Sequence, residues 1–405
     1  MTDTPFVRYL DRTTPPHLTT LVLIAGIAAL SLNVFLPSLP SMAAHFGVDY
    51  AVMQLSVSLY LATTAVLQVA IGPISDRFGR RPVMLGATAV FTLASIGALV
   101  APNFAVFLAC RLTQAIIATG FVLSRAVVRD MVPQDQAASM IGYVTMGMSV
   151  VPMVGPVIGG VLDQAFGWRA SFGILALSGA GLLVLIWADM GETAKSRAVS
   201  FAEQFRQYPA LLTSQRFWGY CLAAAFASGA FFAYLGGAPY VGTTYFQMDA
   251  ATLGFYFGAP ALGYMAGNFL SGRFSVRVGV NRMVLYGALT STAGMMVLAG
   301  IAVLGLAGPV AFFSLMVTVG LGNGILMPNA NAGMLSVRPN LAGSAAGLGG
   351  AFMIGGGAAL SALAGFVLGP TTGPLPLVLL MLAISAAAIV CILWVIQRQK
   401  IVLGV

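Results

Sequence analysis

Asp76, Arg77, Arg80 and Arg81 fall within six positions of the stretch GPISDRFGRRPVMLG, Gly72 to Gly86, in a chain with only 19 Lys+Arg and 11 Asp+Glu. One acid among three arginines can form ion pairs or accept hydrogen bonds from a helix N-terminus. That is the chemistry of a latch and not of bond-making. Asn33, Arg111 and Gln114 are polar residues set inside apolar runs. An unpaired arginine there costs about 2.5–3.5 kcal/mol, so Arg111 should face the protein interior or a wet cavity. An enzyme would need a nucleophile with a base, a carboxylate pair or a metal cluster in a shared cavity. The acids Asp3, Asp11, Asp49, Asp76, Asp130, Asp135, Asp163, Asp189, Glu192, Glu203 and Asp249 all read as termini, loops or helix ends, and His17 and His45 are peripheral. Cys110, Cys221 and Cys391 are scattered and give neither a disulfide framework nor a zinc spacing. The expectation is therefore no enzyme, no metal and no cofactor.

The elements that must position these residues are membrane helices. The chain is 59% hydrophobic and 7% charged, with a mean hydropathy of +0.93. A soluble domain carries about 25% charged residues. Apolar runs long enough to cross a ~30 Å hydrocarbon layer recur from end to end, without the period-two alternation of a membrane barrel. We read twelve spans: 18–40, 50–73, 82–101, 104–128, 136–163, 169–189, 217–240, 250–272, 282–304, 308–332, 340–367 and 374–396. The first is expected to be a retained helix and not a signal peptide. Every Lys and Arg except Arg111 and Arg169 then lies at or beyond helix ends on one side. That asymmetry is the positive-inside rule, placing both termini in the cytoplasm. It also turns the net charge of +8 into a topology signal and excludes a nucleic-acid partner.

Residues 190–216 form the longest polar interval and divide the spans six and six. The expected organisation is a six-helix bundle over 1–190, a cytoplasmic linker over 191–215 and a second bundle over 216–405. ISDRF at 74–78 is echoed by LSGRF at 270–274, an offset of 196 residues. Such repeats are common in secondary transporters, whose substrate site lies between the halves. Glycine clusters at 155–160, 320–324 and 347–359 lie inside spans, where small residues let helices approach closely. Pro152, Pro156, Pro260 and Pro328 can bend their helices. Asn33, Phe35, Gln54, Tyr60, Gln68, Arg111, Gln114, Phe231, Tyr234, Tyr240, Asn268 and Asn329 are the polar or aromatic residues in or near spans of both halves. Apolar walls with a few placed polar groups suit a cavity for small amphiphilic molecules.

The charged stretch resembles the loop signature of the major facilitator superfamily, G-x-x-x-D-R-x-G-R-R/K, at Gly72, Asp76, Arg77, Gly79, Arg80 and Arg81. RLTQAIIATG (111–120) resembles the fourth-helix pattern R-x-x-Q-G, with Ala115 in place of the glycine. GYVTMGMSVVPMVGPVIGG (142–160) resembles the antiporter signature of the fifth helix at Gly142, Gly155, Pro156, Gly159 and Gly160, with Val151 where a glycine is usual. NVFLPSLP (33–40), VVRD (127–130), FGWRASF (166–172), GAPYV (237–241), MPNANA (327–332) and AGSAAG (342–347) are similar to the Bcr/CflA drug-exporter branch. The resemblance implies an all-α, twelve-helix fold of two pseudo-symmetric bundles in a bacterial inner membrane. It implies export of small amphiphilic drugs or metabolites, driven by a proton gradient. Gly72, Asp76, Arg77, Gly79, Arg80, Arg81 and Asp130 would form a cytoplasmic latch between the halves. The chain is expected to act as a monomer.

One departure bears on mechanism. Where that branch carries a first-helix Asp, this chain has Asn33, which hydrogen-bonds but does not titrate. Three readings follow. A rim acid, Asp163 or Asp130, reaches the cavity; or coupling is absent and transport runs downhill; or Asn33 replaces an ancestral acid. Coupled antiport is the expectation, with uncoupled or symport-type transport of a nutrient or metabolite as its rival.

Overall fold

A computed structural model describes residues 7–132, 140, 144, 151, 154–194, 209, 211–337, 342–369 and 373–403. Long apolar segments in lipid must satisfy their backbone groups internally, and helices do so. The described helices are α1 (Leu18–Phe46), α2 (Tyr50–Phe78), α3 (Arg80–Leu99), α4 (104–131), α5 (Val154–Phe166) and α6 (Arg169–Asp189). They continue as α7 (Gln215–Tyr245), α8 (250–278), α9 (Val280–Val303), α10 (Pro309–Ser336), α11 (Ala342–Val367) and α12 (Leu375–Leu403). Ten of these helices are long and apolar enough to cross a membrane by themselves. The described part of α5 is shorter, and α8 is interrupted at Gly258. Large apolar side chains such as Leu93, Leu177, Phe269 and Val390 stay exposed, as a lipid-facing belt requires.

Local chemistry sets the boundaries. Asn103 caps α4 by accepting from the Val106 N–H at 3.0 Å, and Ser214 caps α7 by accepting from the Phe217 N–H at 3.4 Å. The second span was expected to stop at 73, but α2 runs on to Phe78. Asp76 and Arg77 therefore sit in its last turn, and Arg80 and Arg81 open α3. Gly79 is all that separates the two helices. It has φ 94° and ψ 151°, a conformation that only glycine adopts without strain. Its counterpart is Gly279, with φ 89° and ψ 148°, between α8 and α9. The structural repeat is thus offset by 200 residues (279 less 79). The sequence echo at 196 lies one helical turn out of register.

Within the second bundle α8 and α10 meet backbone to backbone. Gly320 faces the Pro260 carbonyl and Gly324 the Tyr264 carbonyl, while Gly263 and Gly267 face α10. A Cβ at any of them would strike backbone, the small-xxx-small contact expected in lipid. The first bundle is centred on Phe35, Phe91, Phe107 and Phe172, all fully buried. α2 packs along α11 to join the bundles, and α1 meets α7 and α8 at the end away from the arginine turns.

Candidate functional site

Arg111 is the largest fully buried side chain among the described residues. α4 carries it to the centre of the first bundle, and three other helices surround it with ring faces. Phe35 and Tyr60 lie 4.3 and 4.4 Å from its guanidinium, and Phe172 lies 5.9 Å away. Its Nη1 donates to Gln114 Oε1 at 2.6 Å, and Gln114 Nε2 donates to Ser95 Oγ at 2.7 Å. A single turn of tighter helix, Ala115–Ala118, follows at once, where the sequence has Ala115 instead of glycine. Nε and Nη2 of Arg111 have no hydrogen-bond partner among the described residues. The ring faces compensate part of the charge.

The residues expected to line one cavity divide into separate groups. Phe35, Tyr60, Arg111 and Gln114 belong to this interior cluster, and Tyr60 donates to Ser31 Oγ at 3.3 Å. Gln54 instead joins the bundles, its Nε2 donating to Ser361 Oγ at 2.7 Å. Beside it the Tyr50 hydroxyl donates to the Gly236 carbonyl at 2.6 Å, and the Tyr50 and Tyr240 rings lie 4.8 Å apart. Gln68 reaches the same seam next to Gly350. Tyr234 is spent inside the second bundle: it donates to the Phe257 carbonyl at 2.9 Å and stacks on that ring, with Phe231 at 6.4 Å. The amides of Asn33, Asn268 and Asn329 each donate to the carbonyl four residues back, Ala29, Tyr264 and Ile325. In an apolar medium a helix's own carbonyl is the nearest acceptor for such a side chain. An apolar groove of about 440 Å³ opens on the outer face between α2, α3 and α4, and none of the expected cavity residues lines it.

The charged turn is a compact ion network. Arg80 pairs with Asp76 at 2.6 Å and with Asp130 at 3.1 Å, and it also donates to Ser75 Oγ. Glu192, past the end of α6, accepts from the N–H groups of Arg80 and Arg81 at 2.8 and 3.2 Å. This carboxylate caps α3, and it occupies the space a Cβ on Gly79 would need. Arg81 donates to the Trp187 carbonyl at 2.9 Å, and Arg77 lies over the Phe78 ring. Gly72 lies within α2 and its carbonyl accepts from Ser75. The contacts described for this network are all inside the first bundle.

α5 presents a smooth face to both bundles. Gly155 lies over Asn33 and Leu30, and Gly159 abuts the Val34 carbonyl. Gly160 abuts the Ala250 carbonyl, and the Pro156 carbonyl meets Gly254, both in the second bundle. Gly142 lies outside the described residues. Asp163 continues this face and accepts from Ser41 Oγ at 3.2 Å. Arg125, expected at a helix end, lies six residues inside α4.

Three functional contacts had no signal in the sequence. Asp189 is fully buried and accepts from the N–H groups of Leu10 and His17 and from the Thr20 hydroxyl. Glu192 and Ser361 likewise reach partners more than a hundred residues away, while Glu192 also accepts from the N–H groups of Thr193 and Ala194.

The model of the Major Facilitator Superfamily matches residues 21–362. The chain belongs to that superfamily. It is a multi-pass membrane transporter and not an enzyme. It is 30% identical over 322 residues to the chloramphenicol resistance protein of Pseudomonas aeruginosa, covering 78% of this chain and 76% of that one. It is 28% identical over 367 residues to the bicyclomycin resistance protein homolog of Haemophilus influenzae, covering 88% and 90%. Its fold matches the solved structure of a bacterial homologue of the human lysosomal transporter Spinster, with a TM-score of 0.72 at 15% identity, over 95% and 96% of the two chains.

Proposed function

We propose that this transporter exports small amphiphilic drugs or metabolites by alternating access, with protons entering in exchange. The observation that carries the reading is the face of α5, which fits without side chains against α1 on one side and α8 on the other. Such a face can part and close again as two rigid halves rock. The relatives named for chloramphenicol and bicyclomycin resistance support export of that class. The arginine-bearing end faces the cytoplasm, since basic residues are retained there, and the seam of Tyr50, Gln54 and Gly160 closes the opposite end. The network around Asp76 and Arg80 acts as the latch of the reverse state. Asp163 is the better proton carrier of the two acids considered, since its partner is a hydroxyl, whereas Asp130 is committed to Arg80.

A second reading rests on Asn33. Its amide is used on its own helix and does not titrate, which favours downhill transport. Reconstitution in vesicles with an imposed pH gradient and a pH-sensitive dye separates the two. Proton release on adding chloramphenicol to the native protein, abolished in Asp163→Asn, is the expected result. Release only in Asn33→Asp means the native chain is uncoupled. No response in either, from folded protein, overturns drug/proton exchange and moves nutrient or metabolite transport to first place.

A further inference from the structure

We propose that the arginine-bearing end of the second bundle holds an anionic phospholipid, with its phosphate among Arg282, Arg398 and Lys400 and its chains beside Tyr286 and Trp394. The site goes beyond the proposed transport and is independent of the molecule carried.

A hydrogen-bonded chain of neutral side chains builds the site. The Tyr220 hydroxyl of α7 donates to Asn281 Oδ1, and Asn281 Nδ2 of α9 donates to Gln399 Oε1 of α12 at 2.6 Å. Arg282 adjoins Asn281, and Arg398 and Lys400 flank Gln399. The bond between the two amides therefore gathers three cations from two helices at one junction. One turn deeper, each helix exposes an aromatic ring. Tyr286 follows Arg282 by four residues and is 49% exposed, and Trp394 precedes Arg398 by four and is 38% exposed. A spacing of four puts ring and cation on one helix face, about 6 Å apart along the axis. α8 repeats the pattern with Phe269 and Arg273, both exposed. Rings at the level where lipid tails meet headgroups, with cations just beyond, match the layering of a phospholipid.

Topology alone does not require this arrangement. It needs cations, but neither rings at fixed spacing nor the exclusion of acids. Between Asp249 and Val405 there is no Asp or Glu, against six Lys and Arg. Both ion pairs among the described residues lie in the first bundle, where Asp76 and Asp130 hold Arg80. At the matching turn of the second bundle Asn281 stands in place of Arg81. The side chains of Arg282, Arg398 and Lys400 have no acid or other acceptor as partner among the described residues. Cations grouped without an internal counter-ion repel one another, and an external anion removes that cost. A phosphodiester fits: arginine forks bind its oxygens in pairs, and lysine adds a point charge. The exposed rings favour a phosphate that arrives on acyl chains over one free in water.

The test is native mass spectrometry of the purified full chain with equimolar phosphatidylglycerol and phosphatidylcholine of matched chains. The native protein should retain the anionic lipid over the zwitterionic one by about tenfold or more, since each basic residue near a membrane surface contributes roughly fivefold. Arg282→Gln with Arg398→Gln should lower that ratio by about tenfold. Arg282→Lys with Arg398→Lys should retain most of it, which separates charge from folding. Removing the same charge from the first bundle, as Arg8→Gln with Arg12→Gln, should leave the ratio unmoved. Glycerol phosphate in large excess, the headgroup without its chains, should not displace the lipid. No preference in the native protein, a ratio unmoved by Arg282→Gln with Arg398→Gln, or an equal fall in both pairs of variants overturns the site. Displacement by glycerol phosphate assigns the cations to a soluble anion and overturns the lipid reading. None of these outcomes bears on drug export, so the two readings fail separately.

Discussion

The Tyr50 hydroxyl donates to the Gly236 carbonyl at 2.6 Å, a single hydrogen bond that ties the first turn of α2 to α7 of the other bundle. With Gln54 bonded to Ser361 one turn on, it closes the end opposite the arginine turns. A buried hydrogen bond of this kind contributes about 1 kcal/mol net. Tyr50→Phe keeps the ring contact with Tyr240 and removes only that bond. It should therefore move the balance toward the state open at this end by about fivefold. Thiol labelling of Ala238→Cys, buried beside the seam, in a background without the three native cysteines, reads this directly. Unchanged labelling would remove the bond from the closure.

Asp189 gives a second prediction, at the other end. Its two oxygens receive the Leu10 N–H at 2.7 Å, the His17 N–H at 2.9 Å and the Thr20 hydroxyl at 2.6 Å. Hydrogen bonds to a charged group contribute about 1.5–3 kcal/mol each. Asp189→Ala should free the segment before α1, where Arg8 and Arg12 are exposed. Tryptic cleavage after Arg12 should accelerate severalfold while the helical content stays constant. Cleavage at the native rate would mean that the Gly191–Thr14 contact holds the segment without the carboxylate.

The helices were legible in the sequence because lipid imposes a length and a composition that no other architecture satisfies. The glycine faces of α5 and α10 were legible for the same reason: small residues inside apolar runs have one main use in lipid. The run of α2 on to Phe78, which leaves Gly79 alone as the turn, was not, because a span search ends where charge begins, whereas the backbone continues to the residue that leaves helical φ. The cavity set was only partly legible. Arg111 went to the interior as its desolvation cost requires, and it took Gln114 with it through the i, i+3 spacing. Asn268 carries the same polarity, but its helix supplies the acceptor locally, and Asn329 divides its amide between its own helix and Ser271 of α8, which composition does not reveal. Asp189 and Glu192 read as loop acids because their partners lie far away in sequence.

Asp249 provides a pH prediction. Its carboxylate caps α8, accepting from the Thr252 N–H at 2.9 Å and the Thr252 hydroxyl at 2.7 Å. These bonds favour the ionised form and hold the group below its ordinary value, the side-chain bond contributing most. The cap's contribution is therefore complete above the unfolded value, about 3.9, and is lost as the pH falls through the lower folded value. Asp249→Ala should destabilise by about 1 kcal/mol at neutral pH, and this deficit should shrink under acid. Thermal unfolding of both proteins across that range checks the sign. A deficit independent of pH would assign the cap to shape alone.

Gly160 and Gly173 make a matched pair for the closure itself. Both are helical glycines, but a Cβ on Gly160 would run into the Ala250 carbonyl, whereas nothing lies within 4 Å of one on Gly173. The obstacle at Gly160 is backbone of the other bundle, which cannot rotate away as a side chain would. An added methyl there is relieved only by separating α5 from α8. Overpacking of this kind costs about 1–3 kcal/mol, and here the cost falls on the closed seam and not on either bundle. Gly160→Ala should therefore raise labelling of Ala238→Cys with little loss of folded protein. Gly173→Ala should leave labelling at the native level, or stabilise slightly through its helix preference. If the two variants behave alike, the face of α5 is a packing surface with no part in opening and closing, and the reading of rigid halves that part along it falls.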